Sequence, residues 1–467
     1  MSESFRDPDG YVIHSGSNVW RCIYPHAVDR TKAFLDSPAA RRWMSEGVLC
    51  RTGVVSPEEA DHPREVGADV ALLLRHEPVP FPSYPFEWPA EMLHAAARVT
   101  LRLAREADEA ELALKDATPY NVMFRGTAPI FLDILSFSER TPLDPMWRPY
   151  AQFVQTFIYP LLAMRFAGLR PDELLSANRD GIGPERMLRL CPAWRLMTPA
   201  LFGAVMLPAL AGRRAEGGER RYVARRAGDA GEARYLLHRT FARAAKLLDQ
   251  AAPPAPSGET VDYETTGHTY GKDALARKDD FVEAALRKHT PAWVLDIGAN
   301  TGRYSRMAAR AGARVVSVDK APEASGALWR RAVKENADIL PLAVDLARPT
   351  PAMGWMNGET RSFLERARGR FDCVLMLAVA HHLAVTERVP LARIFELAWE
   401  LTSDVLVIEY VAPADSQFRQ IARGRDELHT GMTQAAFEEA AALRFELAEA
   451  CDVTPTRRLY CYRRKSG

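Results

Sequence analysis

Two groups of residues in this sequence have the types and spacing to do chemistry. The first starts at Asp296-Ile297-Gly298-Ala299-Asn300-Thr301-Gly302, where an apolar run ends in an acid and a glycine-bearing turn. Gly298 and Gly302 lack Cβ atoms, so backbone can approach a ligand closely there. Asp319 closes the next apolar run, 17 residues after Gly302; a carboxylate at that point can accept both hydroxyls of a ribose. Asp345 closes a third run and can accept an exocyclic adenine amine, while Asp296 can hold the glycine turn or meet a ligand ammonium. The spacing is not G-x-G-x-x-G, and no Gly-Lys-Ser/Thr follows, so a pyrophosphate is not the favoured ligand. Further on, Ala378-Val379-Ala380-His381-His382-Leu383 offers two imidazoles that can take a proton from an oxygen or nitrogen nucleophile, or orient the loop by hydrogen bonding. Glu409 is a second candidate for contact with that nucleophile, or an anchor for a neighbouring Arg. The second group is Asp116, Asn121 and Asp133: a base, an amide oxygen and a carboxylate, in the order used to hold divalent metal and phosphate.

The elements that must position the first group alternate. Val294 to Ile297, Arg314 to Asp319, Asp338 to Val344, Phe371 to Leu377 and Val405 to Tyr410 are short apolar runs that predict buried strands, with helical patterns between them, the first from about Tyr304 to Ala311. Such alternation specifies a doubly wound α/β sheet that binds ligands at the carboxyl ends of its strands. A polar, aromatic stretch from Tyr263 to Asp280 precedes the first strand and is placed to act as a lid. Arg419, Arg423 and Arg425 offer charge for an anionic substrate, or for a salt-bridged surface helix.

The ordered set of Val294 to Gly302, Val316 to Asp319, Asp345 and Phe371 to Leu377 resembles the class I S-adenosylmethionine-dependent methyltransferases, over roughly residues 263 to 467. The resemblance implies a Rossmann-like sheet and S-adenosyl-L-methionine as cofactor, with S-adenosyl-L-homocysteine as product. It implies that Gly298 and Gly302 border the methionine moiety, that Asp319 binds the ribose and that Asp345 with Leu346 flanks the adenine; Asp296, Asn300 and Leu377 are the further cofactor-binding candidates. It places the catalytic roles at His382, His381 and Glu409, with His382 nearer the pocket.

The segment Leu114 to Phe137 resembles the catalytic loop and metal-binding acid of protein-kinase-like and aminoglycoside-phosphotransferase-like folds. The resemblance matches Asp116 to the catalytic base, and Asn121 and Asp133 to the metal ligands. Asp133 is followed by Ile134-Leu135 rather than Phe-Gly, and the first 80 residues hold no G-x-G-x-x-G loop and no V-A-I-K strand. The expectation is an α+β kinase-like domain that has lost phosphotransfer. A hairpin is expected at His14 to Asn18, a strand over Val19 to Tyr24 carrying Arg21, one helix within residues 27 to 48, and a helical run from Tyr150 to Gly168. The whole arrangement also resembles bacterial proteins described as nodulation-type methyltransferases, through Leu114 to Phe137, Asn300 to Ser305 and Ala380 to Leu383.

Length and composition bound the rest. At 467 residues the chain is too long for one ordinary core. Ala251 to Gly258, with three Pro in four residues, reads as an extended spacer. The domains expected are residues 1–210 (kinase-like), 211–262 (helical and Pro-rich linker) and 263–467 (methyltransferase). With 61 basic and 60 acidic residues, the net charge of +1 argues against a nucleic-acid or anionic-membrane binder. The arginine-rich segment from Arg213 to Arg226 reads as a solvated helix face and loop. Six scattered Cys without C-x-x-C, no apolar run of spanning length and no leader pattern at the N-terminus point to reduced thiols in a cytoplasmic protein without a zinc site. The function expected is methyl transfer to O or N of a small molecule or glycoconjugate, with the front domain binding or orienting that acceptor. The alternatives are a bifunctional kinase and methyltransferase, or a non-catalytic S-adenosylmethionine-binding interaction protein.

Overall fold

The structure, a computed structural model, describes residues 6–55, 66–198, 201–210, 226–254, 271–424 and 431–465. It has two units: residues 1–254 with 353–360, and residues 255–352 with 361–467.

In the N-terminal unit, β1 (Gly10–Ser15), β2 (Asn18–Ile23), β3 (Thr52–Val54) and β4 (Leu72–His76) form an antiparallel sheet of order β1-β2-β4-β3. Gly16, at φ 58°, turns the expected hairpin. Residues 27 to 48 hold two helices rather than one, Val28–Asp36 and Pro38–Ser45. Pro38 has no N–H to continue the first, and the Ser37 side chain caps the second by accepting the Ala40 N–H. The 20-residue helix Ala90–Glu109 buries Met92, Leu93, Ala96, Ala97 and Thr100 along one stripe. Two small antiparallel pairs follow, β5 (Leu112–Leu114) with β8 (Phe137–Glu139), and β6 (Val122–Arg125) with β7 (Ala128–Phe131). The helical run from Tyr150 ends at Gly168 in the left-handed conformation, and it widens into a π turn at Val154–Ile158 because Pro160 cannot donate to the helix ladder.

The helix Ala230–Gln250, within the span expected as a helical and Pro-rich linker, groups with the N-terminal unit, whose boundary falls after Pro254. Its apolar face lays Phe241 5.3 Å from Trp147, and its His238 lies 2.9 Å from the buried Asp108 carboxylate. Most of the arginine-rich 213–226 segment, and residues 263–270 of the leading segment, fall outside the described residues.

The C-terminal unit is built on one seven-stranded sheet: β9 (Trp293–Ile297), β10 (Arg314–Asp319), β11 (Ile339–Ala343), β12 (Phe371–Met376), β13 (Thr402–Val411), β14 (Phe445–Thr454) and β15 (Arg457–Arg464). The order is β11-β10-β9-β12-β13-β15-β14. The first five strands are parallel, as their apolar runs predict, and β15 inserts antiparallel between β13 and β14. The chain runs outward through β9, β10 and β11 and then crosses back to β12 beside β9, so the strand order reverses at β9. That reversal opens a crevice at the carboxyl ends of β9 and β12. The core beneath it joins Val294, Val315, Leu375, Val405 and Val407 with helix residues Val282, Leu286 and Leu328. All six cysteines are free thiols, and among the described residues no helix is long and apolar enough to cross a membrane.

Candidate active site

The acids and glycines expected to act together sit on adjacent strand tips, in the order β11, β10, β9 and β12. Gly298, Asn300 and Gly302 all take positive φ, at 68°, 50° and 82°. The turn is pinned to β10: Gly298 N–H donates to Val318 O at 2.8 Å and Asn300 N–H donates to the Asp319 carboxylate at 2.8 Å. The glycines are needed for a reason the sequence did not show. A Cβ on Gly298 would lie 2.3 Å from Val379 Cγ2, and one on Gly302 would lie 2.1 Å from Leu328 Cδ1. The close approach is therefore with the chain itself, where the loop after β9 meets the loop after β12 and the helix Pro322–Glu335 that follows β10.

Asp319 is half-buried and also accepts the Ala321 N–H at 2.9 Å. Burial raises its pKa, against the two backbone donors that lower it. Each carboxylate oxygen takes one of those donors and keeps a lone pair for a further one. Asp345 accepts the Ala347 N–H at 3.0 Å and an Arg348 N–H at 3.1 Å, and the adjoining Leu346 and Leu377 are buried. Asp296 is 2 % exposed and accepts a hydrogen bond from Ser305 Oγ at 2.5 Å, which in turn accepts from Ser317 Oγ at 2.9 Å. Burial pushes its pKa up to about 7, with Ser305 opposing and Asp319 adding to the rise. Of its two expected roles, that geometry serves the first: it ties the helix Arg303–Arg310 to β9 under the glycine turn.

Beyond β12, Ala378 has φ 57°, a costly conformation for a residue with a Cβ, and it starts the short helix Ala380–Val385 that carries both histidines. His381 is 3 % exposed, and among the described residues neither ring nitrogen has a hydrogen-bond partner. Burial, then His382 and Arg457, drives its pKa down to about 3. His382 is exposed, but the surrounding chain partly desolvates its ring and, with Lys320 and Arg457, lowers its pKa.

Glu409 is placed otherwise than expected for an acceptor contact. It is fully buried and forms an ion pair with Lys278 at 2.6 Å, with Arg457 a further 3.9 Å away. Arg457 is bound bidentately by Asp415, at 2.8 and 2.9 Å. Burial raises the Asp415 pKa, but the bonds from Arg457, Thr456 and Gln417 outweigh it and bring it to about 2. Sequence reading missed Lys278 and Arg457 because they join Glu409 only through the fold.

In the N-terminal unit, Asp133 and Asn121 come together through Ser136, whose hydroxyl donates to Asp133 and accepts the Asn121 Nδ2–H at 3.2 Å. The Asp133 carboxylate also faces the buried guanidinium of Arg21 on β2, at 3.0 Å. Arg21 Nε donates to His76, whose pKa burial and Arg21 lower to about 3. Asp116 is exposed and 3.4 Å from Gln152 Nε2. Among the described residues no group of three His, Cys, Asp or Glu side chains is set to hold a metal. A guanidinium takes the place a divalent ion would need on Asp133, so these residues do not fit a metal as arranged.

Residues 295–394 match a family described as a methyltransferase domain. The nodulation protein NoeA of Rhizobium meliloti (strain 1021) is 28% identical over 477 residues, which cover 99% of this chain and 96% of that protein. Among solved structures, the N-methyltransferase NodS of Bradyrhizobium japonicum WM9 aligns with TM-score 0.32 and 14% identity over 42% of this chain and 98% of its own. The magnesium protoporphyrin IX methyltransferase of Synechocystis PCC 6803, with bound S-adenosylhomocysteine, aligns with TM-score 0.33 and 20% identity over 44% and 94%. The C-terminal unit carries a methyltransferase domain, and S-adenosylmethionine is its methyl donor. The residues present suit that donor: a half-buried carboxylate with spare lone pairs ends β10, beside a turn with three left-handed residues at the switch point.

Two outcomes are expected. Asp319→Ala weakens S-adenosylhomocysteine binding by about 1–3 kcal/mol, the scale of a hydrogen bond to a charged group, as read by calorimetry; unchanged affinity removes the ribose assignment. Lys278→Met strands the Glu409 charge and costs about 3 kcal/mol in chemical unfolding, whereas Lys278→Met with Glu409→Leu recovers most of that loss.

Proposed function

We propose that this protein moves a methyl group to an O or N atom of a small molecule or glycoconjugate, with His382 as the base. S-adenosylmethionine supplies an electrophilic methyl carried on a sulfonium. The chain supplies placement and a proton acceptor. Asp319 and the Gly298–Gly302 turn would hold the donor, Leu346 and Leu377 would bound its base, and His382 accepts the proton that an O–H or N–H acceptor gives up.

The observation that carries this reading is the contrast between the two histidines. His381, buried at 3 % exposure with a pKa near 3, stays neutral throughout the physiological range and faces the charged cluster of Arg457, Asp415 and Lys278. His382 is exposed and is held neutral at pH 7 by its lowered pKa, so it can receive a proton. His381 is then a positioning residue that fixes the helix start.

The N-terminal unit is read as a kinase-like scaffold that binds or orients the acceptor and does not transfer phosphate. Support comes from Asp133, which carries the Arg21 guanidinium at 3.0 Å in place of a divalent cation. The same cluster gives the second reading its test, because an active kinase would need that pair to open.

His382→Gln is expected to reduce methyl transfer from tritiated S-adenosylmethionine about 10²-fold while leaving S-adenosylhomocysteine affinity intact. Protonation removes the base, so the wild-type rate should fall as pH drops from 6.5 through the lowered pKa of His382, and the variant should lose that limb. Donor binding with no transfer to any small-molecule or glycoconjugate fraction would leave a non-catalytic binding protein. Mg-ATP is expected to leave the thermal unfolding of the protein unmoved; a Mg-dependent rise abolished by Asp133→Ala would establish the bifunctional reading.

A further inference from the structure

A cavity of about 820 Å³ lies in the C-terminal unit beside the tip of β10. Its walls combine two chemistries. Val385, Val389 and Ile421 contribute apolar surface, and Lys320, Arg388 and Arg423 contribute three cations; none of the lining residues is acidic. Among the described residues no ion pair or side-chain hydrogen bond engages any of those three. The nearby acids are already taken: Glu387 pairs with Arg348 at 2.6 Å, Asp415 with Arg457 at 2.8 Å, and Asp319 with backbone N–H groups. Among the described residues these three positive charges around one apolar hollow have no acidic side chain between them, and like charges so placed favour an anion that joins them.

The backbone sets where two of the cations stand. Arg388 and Arg423 both have positive φ, 56° and 50°. Arg423 caps the helix Ser416–Ala422 in the left-handed conformation, its N–H donating to Arg419 O. Both turns place an arginine on the wall of the same cavity.

The location gives the cavity its meaning. Lys320 directly follows Asp319, and Val385 ends the helix that begins at Ala380 and carries His382. The charge on Lys320 is felt at the His382 ring. The cavity is thus lined by the residue after the proposed ribose-binding acid and by the end of the helix that carries the proposed proton acceptor.

We propose that this cavity is the acceptor site and that it selects an amphipathic anion, an apolar or ring body bearing a carboxylate, sulfate or phosphate, whose charge is held by Arg388, Arg423 and Lys320. The proposal rests on the reading of His382 as the base beside the donor, and it names the substrate class of that site. The segment carrying Arg419 and Arg423 was open to two sequence readings; the Asp415 carboxylate at the helix start is committed to Arg457, and among the described residues no acid pairs with Arg423.

The test uses the full chain and 8-anilinonaphthalene-1-sulfonate, an apolar anion, with neutral N-phenyl-1-naphthylamine as its uncharged counterpart. Arg388→Asn with Arg423→Gly removes both charges while placing residues that accept positive φ, so the fold is retained. The sulfonate dye should bind this double variant at least tenfold more weakly than the wild type, and Arg388→Lys with Arg423→Lys should restore most of the affinity. The neutral dye should bind both forms alike, and more weakly than the sulfonate binds the wild type. Displacement by octanoate, octyl sulfate or octyl phosphate identifies the anionic group preferred, and octyl glucoside should not displace. Equal sulfonate affinity in wild type and double variant, or equal binding of the neutral dye by the wild type, overturns the proposal. Calorimetry with S-adenosylhomocysteine on the wild type separates the two levels. No binding there defeats the donor-site reading, whereas normal binding with an unaltered dye result defeats only the anionic acceptor.

Discussion

The hydrogen bond from Asn300 N–H to the Asp319 carboxylate holds the candidate site together. It ties the turn after β9 to the tip of β10, and it can form only because Gly298, Asn300 and Gly302 all take left-handed backbone. That conformation brings Gly298 against Val379 from the loop after β12, so three strand tips are fixed by one small turn. Below it, Asp296, Ser305 and Ser317 form a buried hydrogen-bonded chain that sets the angle of the helix Arg303–Arg310. With its pKa near 7, Asp296 gains no stability from ionising in the fold: the native state binds its proton across the interval from the ordinary carboxylate range to about 7, where the unfolded chain does not. Its contribution to stability is fullest below that interval and is lost as pH rises through 7. His381 works in the opposite sense, because an imidazole held neutral down to pH about 3 costs stability as pH falls below 6.5. The site is therefore framed by two buried groups whose pH demands meet only in a middle range.

The ion-pair cluster under the histidines has a different purpose from the one its sequence position suggests. Glu409 ends an apolar strand, which is where α/β enzymes place catalytic acids, yet its partner Lys278 comes from a helix 131 residues earlier in the chain. A buried pair of this kind returns little net stability, because desolvation of both charges offsets their attraction. What it does provide is registry: Lys278 on the helix Lys272–His289, Glu409 on β13 and Arg457 on β15 can satisfy one another in only one arrangement. The helix and two strands that back the Ala380–Val385 turn are thereby locked, and His381 stands against that cluster with no hydrogen bond of its own.

How far the sequence disclosed this depended on whether the signal was local. The parallel strands were legible because each is a short, doubly buried apolar run, and the acids at their ends were legible because Asp319 and Asp345 follow those runs directly. The hairpin of β14 and β15 was not, since Phe445–Thr454 is a polar edge strand with register shifts and exposed Glu446, and its alternation is broken. The need for Gly298 and Gly302 was visible, but the reason lay in Val379 and Leu328, 81 and 26 residues further along the chain. Arg423 stood out in sequence only as one of three arginines that a salt-bridged helix would explain as well, and Arg388 carried no motif at all. They come together through a shared cavity wall, which has no sequence period. The Ala230–Gln250 helix was legible from its apolar stripe, but the aromatic surface that receives it, Trp147, was not.

The N-terminal unit poses the sharpest choice between a retained arrangement and retained chemistry. Asn121 and Asp133 meet through Ser136, as two metal ligands would, whereas Asp116 stands exposed beside Gln152. A carboxylate that binds a divalent ion must present its oxygens to a doubly charged centre, and a guanidinium 3.0 Å from the same oxygen both repels that ion and satisfies the acid without it. Arg21 is itself fixed: it is 6 % exposed, and its Nε donates to a His76 that burial and Arg21's own charge keep neutral and able to accept. Thr52 Oγ1, 2.7 Å from the other ring nitrogen of His76, carries the chain of contacts to β3. Displacing Arg21 from Asp133 would thus disturb β2, β3 and β4 together, since each contributes a member of the chain. A cation built into the sheet in this way satisfies the Asp133 carboxylate from within the chain and ties its position to that of three strands.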